Sequence, residues 1–280
     1  MNPSDSMLSR TPKPATGYVA TLDVLGFSDM LYRDTYLKEL EEYIGCMDGL
    51  LREIMNSGGE SSPVECLLFS DSIVLTSRSV AEEDGLSFGR IVQACSAAQH
   101  VLIARGVPVR GVIAYGSFWR SESNGSVFLA GRPIVEAYRL EKALKWVGTM
   151  LASSVLHHFP AVRNICRIPN KAKFRAEIDQ GGSWELAFRI QPATVYFSDS
   201  SCAGDVEGYG VVPLMAATSS FDLAAKNVRA TLQRLFALQE KCPNPIVQQK
   251  YQRTIDWLEK VAESYADAAD VERQVRSELG

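Results

Sequence analysis

Leu22-Asp23-Val24-Leu25-Gly26-Phe27-Ser28 places an aspartate near the end of an apolar run and follows it with a glycine turn. The run starts at Tyr18 and is rich in β-formers, so Tyr18 to Leu25 reads as a buried strand. A carboxylate in such a run is costly to bury unless a cation or hydrogen bonds meet it. Asp23 is therefore a candidate metal ligand, against the plainer role of a strand-end cap. A second motif, Leu68-Phe69-Ser70-Asp71-Ser72-Ile73-Val74, lies downstream. Val64 to Phe69 and Ser72 to Thr76 read as two short strands, a hairpin with Asp71 at its tip. Ser-Asp-Ser is also ordinary turn material, and Asp71 gains its weight from Asp23. Two carboxylates offered from neighbouring strand ends can hold a pair of divalent cations. The N–H groups of a Gly-Phe turn can meet a phosphate. Together these are the equipment of phosphoryl transfer on a nucleoside triphosphate.

Between the two motifs, Leu37, Leu40, Ile44, Met47, Leu51 and Ile54 fall in steps of three and four. They predict a helix over 31–55 that ends at Asn56-Ser57-Gly58-Gly59. A second helix spans Glu82 to Arg105, with Phe88, Ile91, Cys95, Ala98 and Leu102 on one face. Val107 to Tyr115 reads as a strand interrupted at Gly111, and Ser121 to Gly125 as a polar turn. Ser126 to Ala130 is a strand, Pro133 to Trp146 a helix and Thr149 to Ala152 a strand. This alternation gives a mixed α/β (α+β) chain with a sheet covered by helices. Beyond Pro160, Trp184 to Ile190 and Thr194 to Phe197 predict an added hairpin. Phe221 to Lys241 and Ile246 to Ser277 predict two helices around Cys242-Pro243-Asn244-Pro245. These form an αα-hairpin packed on the domain, or carry a dimer contact. The expected division is a flexible tail over 1–16, a catalytic domain over 17–200 and a C-terminal helical extension over 201–280.

With 280 residues the chain can bury a sizeable core, and 46% hydrophobic with 22% charged residues is ordinary for a globular protein. A net charge of −4 gives no support to nucleic acid as a partner. No apolar run reaches the length of a membrane span, and no secretory signal opens the sequence. The six cysteines form no C-x-x-C pair and read as reduced, partly buried thiols of a cytosolic protein. Three histidines, two of them adjacent, argue against a His-based metal site.

Two further segments follow the aspartate motifs: Val109-Arg110-Gly111-Val112-Ile113-Ala114-Tyr115-Gly116, and Gly131-Arg132-Pro133-Ile134-Val135-Glu136-Ala137-Tyr138-Arg139-Leu140-Glu141. In this order the four segments resemble the class III nucleotidyl cyclases, over about Tyr18 to Ala152. The resemblance implies a ferredoxin-like palm sheet with covering helices. It implies that Asp23, the backbone carbonyl of Val24, and Asp71 bind two divalent cations, Mn2+ or Mg2+. It implies that the amides of Gly26 and Phe27 grip the triphosphate, and that Arg139 stabilises charge on the α-phosphate. It also implies a homodimer with shared active sites, the metal residues from one chain and the arginine from the other. A plainer role for Arg139 is an i, i+3 partner of Glu136 on the helix surface. Arg110 either points into the site or pairs with an acid. Lys142, Lys145, Lys171 and Lys173 are the candidates for a terminal-phosphate lysine.

The departures from the family pattern bear on the substrate. Leu67 stands where the family carries a purine-reading Lys or Glu, Val135 where it carries a ribose-positioning asparagine, and Arg132 at a second base-reading position. Arginine offers only donors, which suits the two carbonyls of uracil better than cytosine with its amine. These features resemble the pyrimidine cyclases of the Pycsar anti-phage system. That resemblance implies a bacterial cytoplasmic lyase converting UTP, or CTP, to the cyclic mononucleotide and pyrophosphate, its product acting on a separate effector protein, without nucleic-acid or membrane partners. A purine cyclase and a catalytically dead nucleotide-binding module are the alternatives, and Val135 leans toward the latter.

Overall fold

Every residue of β1 (Ala15–Val24) from Gly17 onward is buried, because helices cover both faces of the strand. That explains the unbroken apolar run, which a sheet with one wet face would not need. The computed structural model describes residues 14–57, 64–79, 84–123, 126–165, 189–197, 204–215, 218 and 220–279. Among them lie β2 (Glu65–Phe69), β3 (Ser72–Arg78), β4 (Val109–Ser123), β5 (Ser126–Gly131), β6 (Gly148–Leu151), β7 (Ile190–Phe197) and β8 (Gly204–Val211). They form one sheet in the order β2-β3-β1-β4-β6-β8-β7, with β5 paired to β4. β4 and β6 run parallel and the other described pairs antiparallel. The mixed α/β architecture expected from the sequence is the observed one.

Tyr18, Ala20, Leu22 and Val24 point into a core shared with α2 (Tyr36–Ser57) and α3 (Asp84–Ala104). The opposite face carries α4 (Arg132–Ala143), and a second core there includes Val112, Ala114, Ala137 and Met150. Two short helices, α5 (Ser153–His158) and α6 (Val162–Ile165), follow β6. Among the described residues no helix is long and apolar enough to cross a membrane.

Several elements differ from their sequence reading. The expected 31–55 helix is observed as α2, starting later at Tyr36, and a separate short helix, α1 (Phe27–Leu31), precedes it. Among the α2 residues whose side chains are described, Tyr43, Cys46, Met47 and Leu50 are buried, while Leu37 and Ile44 are 67% and 53% exposed. Tyr43 packs on Phe27 and donates to the Ser70 carbonyl, which rotates the helix so that its buried arc lies to one side of the expected stripe. Gly111 does not interrupt β4. A Cβ there would sit 2.5 Å from the Thr21 carbonyl oxygen, so the glycine lets β1 approach. β7 pairs with β8, a strand inside the 201–280 stretch read as helical. The proposed Trp184 strand lies outside the described residues.

The C-terminal hairpin consists of α7 (Phe221–Lys241) and α8 (Pro245–Leu279), within two residues of the expected bounds at each end. Ser220 caps α7 by accepting from Leu223 N at 3.2 Å. The hairpin is bolted to the sheet at one level of α8. Thr254 Oγ1 accepts from Val147 N and donates to Val147 O, both at 2.9 Å. Trp257 lies edge-on to Trp146 and donates to the Pro192 carbonyl at 2.9 Å. These side chains join the second core, so the hairpin is part of the domain's packing.

Candidate active site

Register brings the two aspartates together. Asp23 lies opposite Ser72 of β3 and Arg110 of β4. The tight β2–β3 turn consists of Ser70 and Asp71, and Val24 N donates to the Asp71 carbonyl at 3.0 Å. Asp71 therefore follows directly on Asp23 across the strand pair. Ser70 has φ 56°, a strained conformation for a residue other than glycine. Tyr43 Oη holds the turn by donating to the Ser70 carbonyl at 3.1 Å. Burial, and then the charge of Asp71, push the Tyr43 hydroxyl up to about 12, so it remains a donor at neutral pH. Tyr43 was not singled out in the sequence. Its one signal is an aromatic residue in the interior of a helix otherwise lined by aliphatic ones.

Gly26 follows β1 with φ 80°, the left-handed region that glycine enters without a steric penalty. α1 starts there, and no side chain caps it. Phe27 packs its ring on Tyr43 in the core, which leaves its backbone to face the cavity. Asp23, Val24, Gly26, Phe27 and Asp71 all line one cavity of ≈ 790 Å³.

Asp23 is 5% exposed, and cations hold both of its oxygens. Arg110 donates to Oδ2 from Nη2 at 2.9 Å and from Nε at 3.2 Å, and Lys142 donates to Oδ1 at 3.2 Å. Arg110 thus does both things the sequence offered as alternatives: it lines the cavity and it pairs with acids. It also lies 2.7 Å from Glu141 Oε1. Its Nε–H is aimed at Asp23, and Glu141 Oε1 receives no aligned hydrogen bond among the described residues. Burial first, and then the charge of Asp23, push the Glu141 carboxyl up to about 7, against the pull of Arg110 and Lys142. The unfolded chain releases this proton near 4.5, so the folded protein holds more protons between 4.5 and about 7. Stability should therefore fall as pH rises through that window and level off above it. Chemical denaturation in EDTA should show this slope in the parent protein and lose it in Glu141→Gln. Equal slopes in the two proteins would refute the assignment.

The cavity suits hard divalent cations in its donor type. Carboxylate oxygens from Asp23 and Asp71 are the ligands such ions prefer, and Mg2+ commonly takes one or two of them alongside substrate phosphates. Lys142 already places a positive charge on Asp23 Oδ1, on a side chain 43% exposed and therefore free to swing out. Among the described residues no cluster of three or more His, Cys, Asp or Glu side chains exists, so the protein alone offers an incomplete shell.

Arg132 and Arg139 lie elsewhere in the chain. Pro133, Ala137 and Glu141 form the buried stripe of α4, which turns Arg132, Val135 and Arg139 outward. With Gly131, Glu136, Leu140 and Ser153 they line a separate depression of ≈ 670 Å³. Val135 and Tyr138 on this flank are 50% and 54% exposed. Leu67 lines a small crevice with Val74, Val127 and Leu129. Lys142 is on Asp23, Lys145 is near Lys250, and Lys171 and Lys173 lie outside the described residues. The α7–α8 turn went unnoticed in the sequence as part of the site. Lys241, Asn244 and Lys250 line the Asp23 cavity.

No protein-family model matches the chain, and no curated protein does. Among solved structures, it is similar to the guanylyl cyclase Cya2, at 12% identity over 71% of this chain and 93% of that one, with a TM-score of 0.45. It is similar to a bacterial light-regulated adenylyl cyclase at 12% identity, over 80% and 60% of the two chains, with a TM-score of 0.44. It is also similar to a class III adenylyl cyclase-like ATP-binding protein from Pseudomonas aeruginosa, at 16% identity over 51% and 34%, with a TM-score of 0.40.

Proposed function

We propose that the protein is a nucleotidyl cyclase of the class III type, a phosphorus–oxygen lyase acting on a pyrimidine nucleoside triphosphate, UTP before CTP. The observation that carries this reading is the convergence of Asp23, Asp71 and the Gly26 turn on one cavity lined with cations. Asp23 and Asp71, with the Val24 carbonyl, would hold two divalent cations, Mn2+ or Mg2+. Bound there, the cations would lower the pKa of the ribose 3′-OH and offset charge on the triphosphate. The 3′-oxygen bonds to the α-phosphorus as the bond to the bridging oxygen breaks, and pyrophosphate leaves with its electrons. The hydroxyl proton passes to solvent. The chain's own part is to orient the polyphosphate on the Gly26 and Phe27 amides and to hold the Asp23 carboxylate in place between Arg110 and Lys142.

The substrate reading rests on Leu67, Val135 and Arg132, whose donor-only guanidinium matches the two uracil carbonyls. As a bacterial cytoplasmic enzyme of anti-phage defence, it would pass cyclic UMP to a separate effector. Incubation with ATP, GTP, CTP and UTP, each with Mn2+ or Mg2+, followed by mass spectrometry, tests this directly. Cyclic UMP or cyclic CMP should form with the parent protein and be missing with Asp71→Ala. A purine product would keep the cyclase and sink the base assignment.

Arg139 would act across a twofold dimer, on the Asp23 site of the other copy. The exposed Val135 and Tyr138 beside it support this, since apolar side chains on one helix flank suit a buried contact. Asp71→Ala and Arg139→Ala proteins should each be inactive alone. Mixed and exchanged, they should regain about a quarter of parent activity, the share of intact sites in a randomly paired isologous dimer. Confirmed exchange without activity would rule out a shared site.

A further inference from the structure

We propose that the α7–α8 hairpin is the polyphosphate clamp of this site, with Lys250 and Lys241 binding the terminal phosphates of the nucleotide and the pyrophosphate that leaves. This rests on the nucleotide reading above and adds a part of the chain that lies outside the four segments on which the resemblance to the class III cyclases rests.

The cavity has two walls. One is the end of β1 with the Gly26 turn and Asp71. The other is the last turn of α7, the Cys242–Asn244 connection and the first turns of α8. Five cationic side chains line it, Arg33, Arg110, Lys142, Lys241 and Lys250, against the carboxylates of Asp23, Asp29 and Asp71. Three of the five are already engaged. Arg110 and Lys142 hold Asp23, and Arg33 pairs with Glu39 at 2.9 Å. Lys241 and Lys250 make no ion pair among the described residues, so their charge is available to a ligand. In a chain of net charge −4 this is a local concentration of the opposite sign.

Lys250 is the centre of the argument. It is half-buried and faces Arg110 and Lys145, so burial and then these like charges lower its pKa, against the weaker pull of Asp23 and Glu141. An ammonium in that position is poorly served by the protein alone, and a polyanion would complete it. Its place is fixed. The Thr254 hydroxyl accepts from Val147 N and shares its single proton between the carbonyls of Val147 and Lys250, at 2.9 and 3.1 Å. The neighbouring Tyr251 is in the core. Against the plainer role, a lysine stem lying along an apolar surface with its head in water, stands its place in the lining of the same cavity as Asp23, Asp71 and the Gly26 turn. The start of α8 adds to the same field. Asn244 Oδ1 caps it by accepting from Ile246 N at 2.9 Å, and both Asn244 and Val247 line the cavity. The positive end of a 35-residue helix therefore opens on it.

The test is calorimetric titration of the full chain with tripolyphosphate and Mg2+, a probe that carries the phosphates without a nucleoside. Lys250→Met keeps the stem and removes the charge. It should weaken binding about tenfold to a hundredfold, the scale of a lost charge-assisted hydrogen bond or two. Lys250→Arg should recover most of the affinity, which a purely packing role would not predict. With UTP, Lys250→Met should raise KM more than it lowers kcat. Should Lys250→Met fail to fold, Lys241→Glu at its exposed position carries the test, and it should weaken tripolyphosphate by about tenfold. Tripolyphosphate binding by a folded Lys250→Met within twofold of the parent would overturn the clamp. So would a parent protein that ignores tripolyphosphate at millimolar concentration. Loss of binding in the variant from a parent that makes no cyclic nucleotide would sink the cyclase reading and keep the clamp. Cyclase activity with unchanged KM in the variant would do the reverse.

Discussion

Asp71→Ala should lower cyclic-nucleotide formation by about a thousandfold or more while leaving the fold intact. The magnitude follows from the role: a ligand that holds cations on developing charge supplies several kcal/mol to the transition state, and each 1.36 kcal/mol is tenfold in rate. The sparing of the fold follows from position. The Asp71 side chain is only partly buried and makes no hydrogen bond or ion pair among the described residues, while the turn is held by backbone and by Tyr43. A change at such a site stays within about 0.5 kcal/mol of the parent. Asp23→Asn should match the loss of activity, but it also removes the charge that Arg110 and Lys142 meet, so its melting temperature will move. The pair of measurements, initial rate and thermal unfolding, separates the two aspartates. An Asp71→Ala protein retaining a tenth of parent activity would remove Asp71 from the chemistry.

The largest stability effect should come from Arg110→Met. Arg110 is 12% exposed and stands between Asp23 and Glu141, both nearly buried. Removing it leaves two carboxylates facing each other with only Lys142 at the rim. Breaking a buried pair by deleting one partner costs about 3–5 kcal/mol. For a chain of this size that is a fall in melting temperature of roughly 10 °C. Combining Arg110→Met with Glu141→Gln should recover part of the loss, because one of the two stranded charges is then gone. A single Arg110→Met variant as stable as the parent would mean that the cluster relaxes by taking in water or a proton. The raised Glu141 pKa makes protonation the first place to look.

Much of the scaffold was legible because it is locally encoded. β2 and β3 are short apolar runs with the turn residues Ser70 and Asp71 between them, and their hairpin pairing follows from that. The bounds of α7 and α8 came from the helical pattern on either side of the Cys-Pro-Asn-Pro break. What failed was set by distant partners. The exposed Leu37 and Ile44 depend on how Tyr43 reaches Ser70, which periodicity cannot register. β8, with glycines and acids through its length, carries no strand pattern of its own and fell in the stretch read as a helical extension; β7 and β6 flank it in the sheet. In the site, Asp23 stood out because a carboxylate in an apolar strand is expensive. Its partners did not stand out, since Arg110 and Lys142 meet it only across strand and helix. Whether Arg132 and Arg139 complete the site from a second copy turns on subunit pairing, a level above the single chain.

The far wall of the cavity also has a consequence for timing. During synthesis, Asp23, the Gly26 turn and Asp71 emerge early, and the strands that hold them can pair once β4 is made. Residues 238–251, which close the opposite side, appear only after another hundred or so amino acids, on the order of 10 s at ordinary elongation rates. A nascent chain would therefore present an open half-site, with Arg33 and Arg110 but without the second basic wall of Lys241 and Lys250. Under the function proposed above, this order of assembly would keep unfinished molecules silent.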